Sequence, residues 1–571
     1  MEVWYQMMKK ADFNLISQKY GISPVLARLI RNRDVTEDKD IDFYLNGTIG
    51  DLYDGMLMKD MDIAIEILEE KIKDQEKIRV IGDYDIDGVS ATYILQSGIG
   101  SLGGKIDTDI PDRVKDGYGL NRHLIDRALE DGIDTIITCD NGIAAAEEIA
   151  YGKENGLTII VTDHHQVPYK EREDGTRKYI LPPADAVVDP QRKDCEYPFK
   201  GLCGAAVAYK LVEALYEVMQ RDVDEVDYLI ENVAIATIGD VMDLQGENRV
   251  FVKQGLEMLR RTKNYGLNAL IDCNEIDRNS LSAYHIGFVI GPCINASGRL
   301  DTAKKALELL NAEDEVQAKI LASELKRLND ERKELTEEGV LKAIDQIETT
   351  SLKDDRVLVV YLPGCHESIV GIIAGRIREK YYRPVFVLTD GEGCVKGSGR
   401  SIDSYNMFEE MNKCAEIFIK FGGHKLAAGL SIAKNDVELF RHRINELCTL
   451  TEKDLYEKVS IDMRLPFPYI SEQLVSELTK LEPCGKGNVR PLFAEKDVTV
   501  ISPRIVGKQR EVLVFTAMDS SGYPMDAIYF GDARECMEYM SRHKKMAFTF
   551  YPNVNEYRGF RKMQIVVVNY K

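Results

Sequence analysis

The sequence predicts an α/β protein: two α/β lobes joined by a long helix, followed by a C-terminal β-barrel. Three observations lead there. From about residue 76, apolar runs (KIRVI, IDTIIT, LTIIV, ADAVV) alternate with helix-like stretches such as NRHLIDRALEDG, the pattern of βαβ units and a parallel sheet. The alternation returns at about 350–450 in DRVLVVYL, GIIAGRIREKY and PVFVLTD. After about 455 it gives way to short β-rich runs separated by turns, among them LFAEKDVTVIS, EVLVFTAMD, MAFTFYPN and QIVVVNY.

Taken in order, residues 1–75 read as a polar helical leader, with apolar periodicity in SPVLARLIRNR and MDIAIEILEEKIK. Residues 76–311 form the first α/β lobe. Residues 312–348 contain no Pro and no Gly except Gly339; they read as a charged connecting helix, with two ordinary surface helices as the alternative. Residues 349–452 form the second lobe and residues 453–571 the barrel.

At 571 residues and 44% hydrophobic content, the chain is long enough for several domains and too apolar for disorder. MEVWYQMMKKADFNLISQ lacks the apolar stretch of a signal peptide, and no run approaches the ~20 residues that span a bilayer. A cytoplasmic location with no membrane partner is therefore expected. Eleven cysteines without a C-x-x-C pair argue against a disulfide framework or a zinc ribbon. A net charge of −21 argues against a nucleic-acid coat protein but not against a local basic groove. It also suits carboxylates gathered around metal ions.

In the first lobe four apolar runs end in acid or histidine: RVIGDYDIDG (79–88), TIITCDNG (135–142), TIIVTDHH (158–165) and VAIATIGDVMD (233–243). In a parallel sheet the carboxyl ends of the strands share one edge, where ligands bind. Read as four strand ends, these runs bring together Asp83, Asp85, Asp87, Asp140, Asp163, His164, His165 and Asp240. So many carboxylates repel one another unless a divalent cation neutralises them. Carboxylates with imidazole suit Mn²⁺ or Mg²⁺, and two such ions about 3.5–4 Å apart activate water and neutralise a phosphoryl oxygen. Each motif alone has a plainer reading. D-x-D-x-D-G resembles a calcium loop, but that loop needs Glu six residues after the Gly, and position 94 is Ile. D-N-G is an ordinary turn, and H-H an ordinary surface pair. Their succession is the informative part.

That succession, D-x-D-x-D-G, D-N-G, D-H-H and G-D, resembles the DHH phosphoesterase superfamily. FGGHKLAAG (421–429), HESIVGIIAGRI (366–377) and KGSGR (396–400) are similar to the companion DHHA1 domain. NASGRLDTA (295–303) resembles a segment between the lobes. LEPCGKGNVRPLF (481–493) is similar to the nucleic-acid-binding OB-fold barrel that follows DHHA1 in the RecJ family. The resemblance runs from about residue 20 to 571. It implies a metal-dependent exonuclease, hydrolysing phosphodiester bonds of single-stranded DNA from 5′ to 3′ in recombination and repair with two Mn²⁺ or Mg²⁺ ions. It implies Asp85, Asp87, Asp140, His164 and Asp240 as catalytic metal ligands, Asp140 bridging both ions. His165 becomes a catalytic residue that meets the phosphate, Asp163 a ligand supporter, and Asp83 a weaker candidate that orients water. DNA contacts are implied for His165, Arg299, Arg376, Ser398, Arg400, Gly422, Gly423 and His424. A single-strand-binding protein and a helicase are the partners it suggests.

There are two departures from the family pattern. Ile81 stands where some relatives carry histidine, and Asp189, in VVDPQ, where asparagine is expected. A phosphodiesterase for short oligoribonucleotides or cyclic dinucleotides would not need the barrel, and a silent scaffold would have lost carboxylates. In the tail, RHKK (542–545) and RGFRK (558–562) with Tyr551 and Tyr557 suit a single-strand platform, whereas Phe548 and Phe550 read as barrel core.

Overall fold

The computed structural model describes residues 2–113, 115–172, 174–507, 511–557 and 560–571. The chain divides into two compact units. One comprises residues 53–242 and 254–457; the other comprises residues 2–52, 243–253 and 458–571.

The first unit holds both α/β lobes. Strands β1 (Lys77–Ile81), β2 (Lys105–Asp109), β3 (Thr135–Cys139), β4 (Thr158–Thr162) and β5 (Ala186–Val188) form a parallel sheet in the order β2-β1-β3-β4-β5. β3 is buried along its whole length, as expected of a parallel strand covered on both faces. The order reverses between β1 and β3. Their carboxyl ends therefore border the crevice where open α/β sheets bind ligands. Helices α1 (Ile86–Ser101) and α2 (Gly204–Val218) cover one face and are themselves almost wholly buried. They lie so close that a Cβ on Gly98 would collide with the Val212 side chain.

The fourth apolar run departs from the expectation of a strand. VAIATIGD lies in a helix, α3 (Ile230–Gly239), with Asp240 at its C-terminal cap. A short apolar run buried on all sides has no period that distinguishes strand from helix. Asp240 thus reaches the strand-end edge from a helix terminus.

α4 (Glu315–Thr349) is one continuous helix of 35 residues, capped by the Asp314 side chain accepting from the Val316 and Gln317 amides. The second lobe follows, with β6 (Leu358–Tyr361), α5 (Val370–Tyr381), β7 (Val385–Asp390), β8 (Val395–Arg400), β9 (Phe418–Gly423) and β10 (Ala427–Ile432). Its sheet runs β9-β10-β8-β7-β6; only β6 and β7 are parallel, α5 being their crossover.

In the second unit, strands Phe493–Val506, Val512–Met518, Pro524–Phe530, Phe560–Tyr570 and Met546–Tyr557 pair in turn. The last pairs back with the first to close a five-stranded barrel. Phe548 and Phe550 are fully buried in it with Phe493. The N-terminal segment is not an independent helical leader. It opens with a strand, Glu2–Gln6, paired to Glu457–Ile461, and its short helix Pro24–Asn32 buries Leu26, Leu29 and Ile30 in the barrel core. A nine-residue helix is too short to be stable alone and needs such a partner surface. Arg558 and Gly559 of RGFRK, and the Tyr557 side chain, lie outside the described residues.

Candidate metal centre and adjoining cleft

The sheet edge is built from backbone geometry first. Asp85 caps α1, its Oδ1 accepting from the amides of Asp87 (3.0 Å) and Gly88 (3.1 Å). Asp87, two residues on and wholly buried, accepts from Gly204 (2.7 Å) and Ala205 (2.8 Å) at the start of α2. A helix N-terminus is a natural anion partner. Gly204 is required there, because a Cβ would meet Asp140 Cβ at 2.7 Å. Asp140 ends β3 with a left-handed backbone (φ 58), an unusual conformation for a side-chain-bearing residue that aims its carboxylate at the same point.

The side chains converge. His164 Nε2 lies 3.1 Å from Asp140 Oδ1, 3.5 Å from Asp87 Oδ2 and 3.8 Å from Asp240 Oδ2. Ligand atoms fall within 4.8 Å of one another in three sets: Asp83–Asp85–Asp140, Asp87–His164–Asp240 and Asp140–His164–His165. The first two could each hold one cation, and the Asp140–His164 contact joins them. Asp85 and Asp87, two residues apart in sequence, fall in different sets.

Electrostatics gives the same picture. Burial, then the Asp85 charge, lifts Asp83 well above the usual carboxylate range. Burial and the charges of Asp87, Asp85 and Asp83 do the same to Asp140, and burial raises Asp87. One oxygen of Asp83 takes the Gly119 amide at 3.2 Å; the other is buried with no hydrogen-bond partner among the described residues. Oxygen-rich donors with one imidazole, packed at mutual cost, fit Mn²⁺ or Mg²⁺.

Asp163 sits just behind. It accepts from the amides of His164 (2.7 Å), His165 (3.1 Å) and Ile143 (2.9 Å), and lies 2.8 Å from His165 Nδ1. Burial opposes its charge, but the His165 hydrogen bond and both histidine charges hold it below the usual range. Conversely, burial opposes the charged form of His165, and the Asp163 hydrogen bond and charge lift it to about 9. Asp189 follows β5 with one oxygen on the Gln191 amide and the other unpartnered among the described residues; burial pushes it to about 8.

Beside the centre is a cavity of about 440 Å³ between the two lobes of this unit. Tyr84 and Arg113 line it from the first lobe, Lys396, Ser398, Phe421 and Gly422 from the second. Arg400 donates to Ser398 Oγ at 3.1 Å, and Gly371 of α5 leaves room for both side chains, since a Cβ would meet them at about 3 Å. Arg299 donates to the Ser368 carbonyl at 2.8 Å; burial, then Arg113 and Arg332, depress it to about 10. Gly423 adopts φ 155 in the β9–β10 hairpin. Of the predicted contacts, Ser398 and Gly422 belong to this lining; His424 is exposed at the hairpin turn, and Arg376 is exposed on α5.

Sequence reasoning missed Arg113, stacked 4.7 Å over the Tyr84 ring. It also missed Tyr118, whose hydroxyl donates to the Asp140 carbonyl at 2.9 Å and lies beside His165. Both follow β2, a true strand end whose IPDRVKDGYG has no acid–histidine signature.

A doubly wound sheet with acids and histidines at its switch point, followed by a mixed sheet with a glycine-rich hairpin, defines a DHH-type phosphoesterase. Family models agree: the DHH family N-terminal domain matches residues 77–239, the DHHA1 domain 354–450 and the RecJ OB domain 461–569. The chain is 34% identical to the single-stranded-DNA-specific exonuclease RecJ of Bacillus subtilis over 97% of its own length and 68% of that protein's. It is 32% identical to the protein of that name from Escherichia coli, over 96% of each. A crystal structure of RecJ in complex with Mn²⁺ from Thermus thermophilus superposes with TM-score 0.84 and 28% identity, over 100% of this chain and 79% of that one. The chain belongs to the RecJ family.

Proposed function

We propose that the chain is a cation-dependent exonuclease that hydrolyses single-stranded DNA from its 5′ end. The observation that carries this is the pair of adjoining ligand sets joined at Asp140–His164, opening beside a basic cleft. Asp83, Asp85 and Asp140 would hold one Mn²⁺ or Mg²⁺, and Asp87, His164 and Asp240 the other. When bound, the ions neutralise phosphoryl charge and activate a water.

The protein's own groups do the rest. The α2 amides fix Asp87, and the Asp140 backbone fixes its carboxylate. Asp163 keeps His165 protonated and oriented, so that its N–H meets a phosphoryl oxygen as negative charge develops there. Arg400, Ser398 and Arg299 grip strand phosphates, joined by Arg113; Gly422 lets the backbone approach. The rings of Tyr84 and Tyr118 offer faces to unpaired bases. Polarity from the 5′ end, a cytoplasmic role in recombination and repair, and work beside a single-strand-binding protein and a helicase rest on the family resemblance. No helix among the described residues is long and apolar enough to cross a membrane.

The test is a Mn²⁺ digestion of end-labelled single strands, duplex and dinucleotide by wild type and Asp140→Ala. Mononucleotides released from the 5′ end of single strands only, and lost in the variant, support the proposal. Cleavage of the dinucleotide alone sinks it.

A further inference from the structure

On the flank of the first lobe a cavity of about 700 Å³ is lined by Tyr93 of α1, Tyr228, Glu231 of α3 and the turn through Arg261, Thr262 and Lys263. It is separate from the metal centre. Glu231 lies in the first turn of α3 and Asp240 caps its other end, roughly 13 Å apart at 1.5 Å per residue.

Glu231 is 4% exposed. Its one hydrogen bond among the described residues comes from the Thr262 hydroxyl to Oε1, at 2.9 Å. No cation among them pairs with it, and burial pushes the carboxyl up to about 7. A buried acid with spare acceptor capacity on a cavity wall, unused by the proposed chemistry, calls for an N–H donor. Tyr93 and Tyr228 supply ring surface beside it. Arg261 and Lys263 are exposed at the rim, and neither forms an ion pair among the described residues. The cavity therefore has an acceptor inside, aromatic walls, and at the mouth these two cations beside Glu257, whose charge is matched by Arg260.

We propose that it binds a purine nucleoside 5′-monophosphate, and guanine in preference to adenine. Guanine's N1–H and N2–H present two adjacent donors that a carboxylate accepts side by side. Its ring lies against the tyrosines, and its phosphate reaches Arg261 and Lys263. The volume suits a ligand of that size. Adenine has no second adjacent donor on that edge. The site stands independently of the exonuclease reading.

The probe is GMP, titrated calorimetrically into the full chain in EDTA, with AMP and guanosine as companions. One GMP should bind per chain, with AMP about tenfold weaker or worse for want of one charge-assisted hydrogen bond. Glu231→Gln should weaken GMP about tenfold while moving AMP little; Asp140→Ala should change neither. Arg261→Ala with Lys263→Ala should weaken GMP more than guanosine. These rim changes are on the surface, so they carry the test if Glu231→Gln fails to fold. No GMP binding at about 1 mM, equal binding of GMP and AMP, or loss in Asp140→Ala with Glu231→Gln unaffected would each overturn the proposal.

Discussion

The two lobes of the first unit solve opposite problems. The parallel-sheet lobe buries acids: Asp83, Asp87 and Asp140 crowd its strand-end edge, and burial with mutual repulsion lifts all three. The mixed-sheet lobe carries bases to the cleft: Arg400 sits beside Ser398 with its charge disfavoured by burial, Arg113 and Arg378. Each cluster costs stability by itself. On the proposed function, divalent cations would relieve the acids and strand phosphates the bases, so that a bound strand would bring both together. Buried like charges of one sign thus point to the opposite charge each surface would accept.

The sharpest way to break this comparison is to remove the carboxylate common to both histidine contacts and the Asp83–Asp85 set. Asp140→Ala should lower kcat by about 10³-fold or more, several kcal/mol of charge stabilisation, with KM for single strands little changed. A comparable rise in KM would make Asp140 a strand-binding residue instead.

Changing the other lobe should do the reverse. Arg400→Ala should weaken binding of single strands by about 10–100-fold, and the slope of log K against log salt should fall by roughly one. Measured by fluorescence anisotropy at several salt concentrations, an unchanged slope would take Arg400 off the phosphate path.

Without cations, the raised acids tie stability to pH. Asp83 and Asp140 have folded pKa values above the unfolded 3.8. The native state therefore holds protons that the unfolded state has released, and stability falls as pH rises above about 4. Mn²⁺ should raise Tm more at pH 8 than at pH 5. Asp140→Asn should raise the Tm of cation-free protein by a few degrees at pH 8 while abolishing activity. Thermal scans in EDTA and in Mn²⁺ read both; a Mn²⁺ effect independent of pH would mean the acids are not in repulsion.

The smallest effect belongs to the barrel. Lys544→Ala with Lys545→Ala should weaken strand binding about twofold to fivefold at low salt and leave dinucleotide cleavage untouched.

Much of the first lobe was legible because parallel strands are buried on both faces and write themselves as continuous apolar runs ending where ligands bind. The D-x-D-x-D-G, D-N-G and D-H-H strand ends all reach the centre. Asp240 converges too, but from the end of a helix, since VAIATI is as compatible with a buried helix as with a strand. Tyr118 and Arg113 stayed hidden because a tyrosine and an arginine in a loop carry no pattern until the topology places them. Asp83, the weaker candidate by sequence, falls within ligand distance of Asp85 and Asp140, and its second oxygen has no hydrogen-bond partner among the described residues. The N-terminal helices looked separate because their partner surface lies more than 400 residues away in sequence, as the Asn32–Asp462 hydrogen bond illustrates.

The most direct measurement is the number of Mn²⁺ ions bound per chain, followed by calorimetry and by EPR for coupling between the two spins. Two coupled ions in wild type, with one left in Asp240→Ala and one in Asp85→Ala, is the predicted result. A single ion in wild type, or a count that neither substitution changes, would contradict the pairing of two ligand sets through Asp140 and His164.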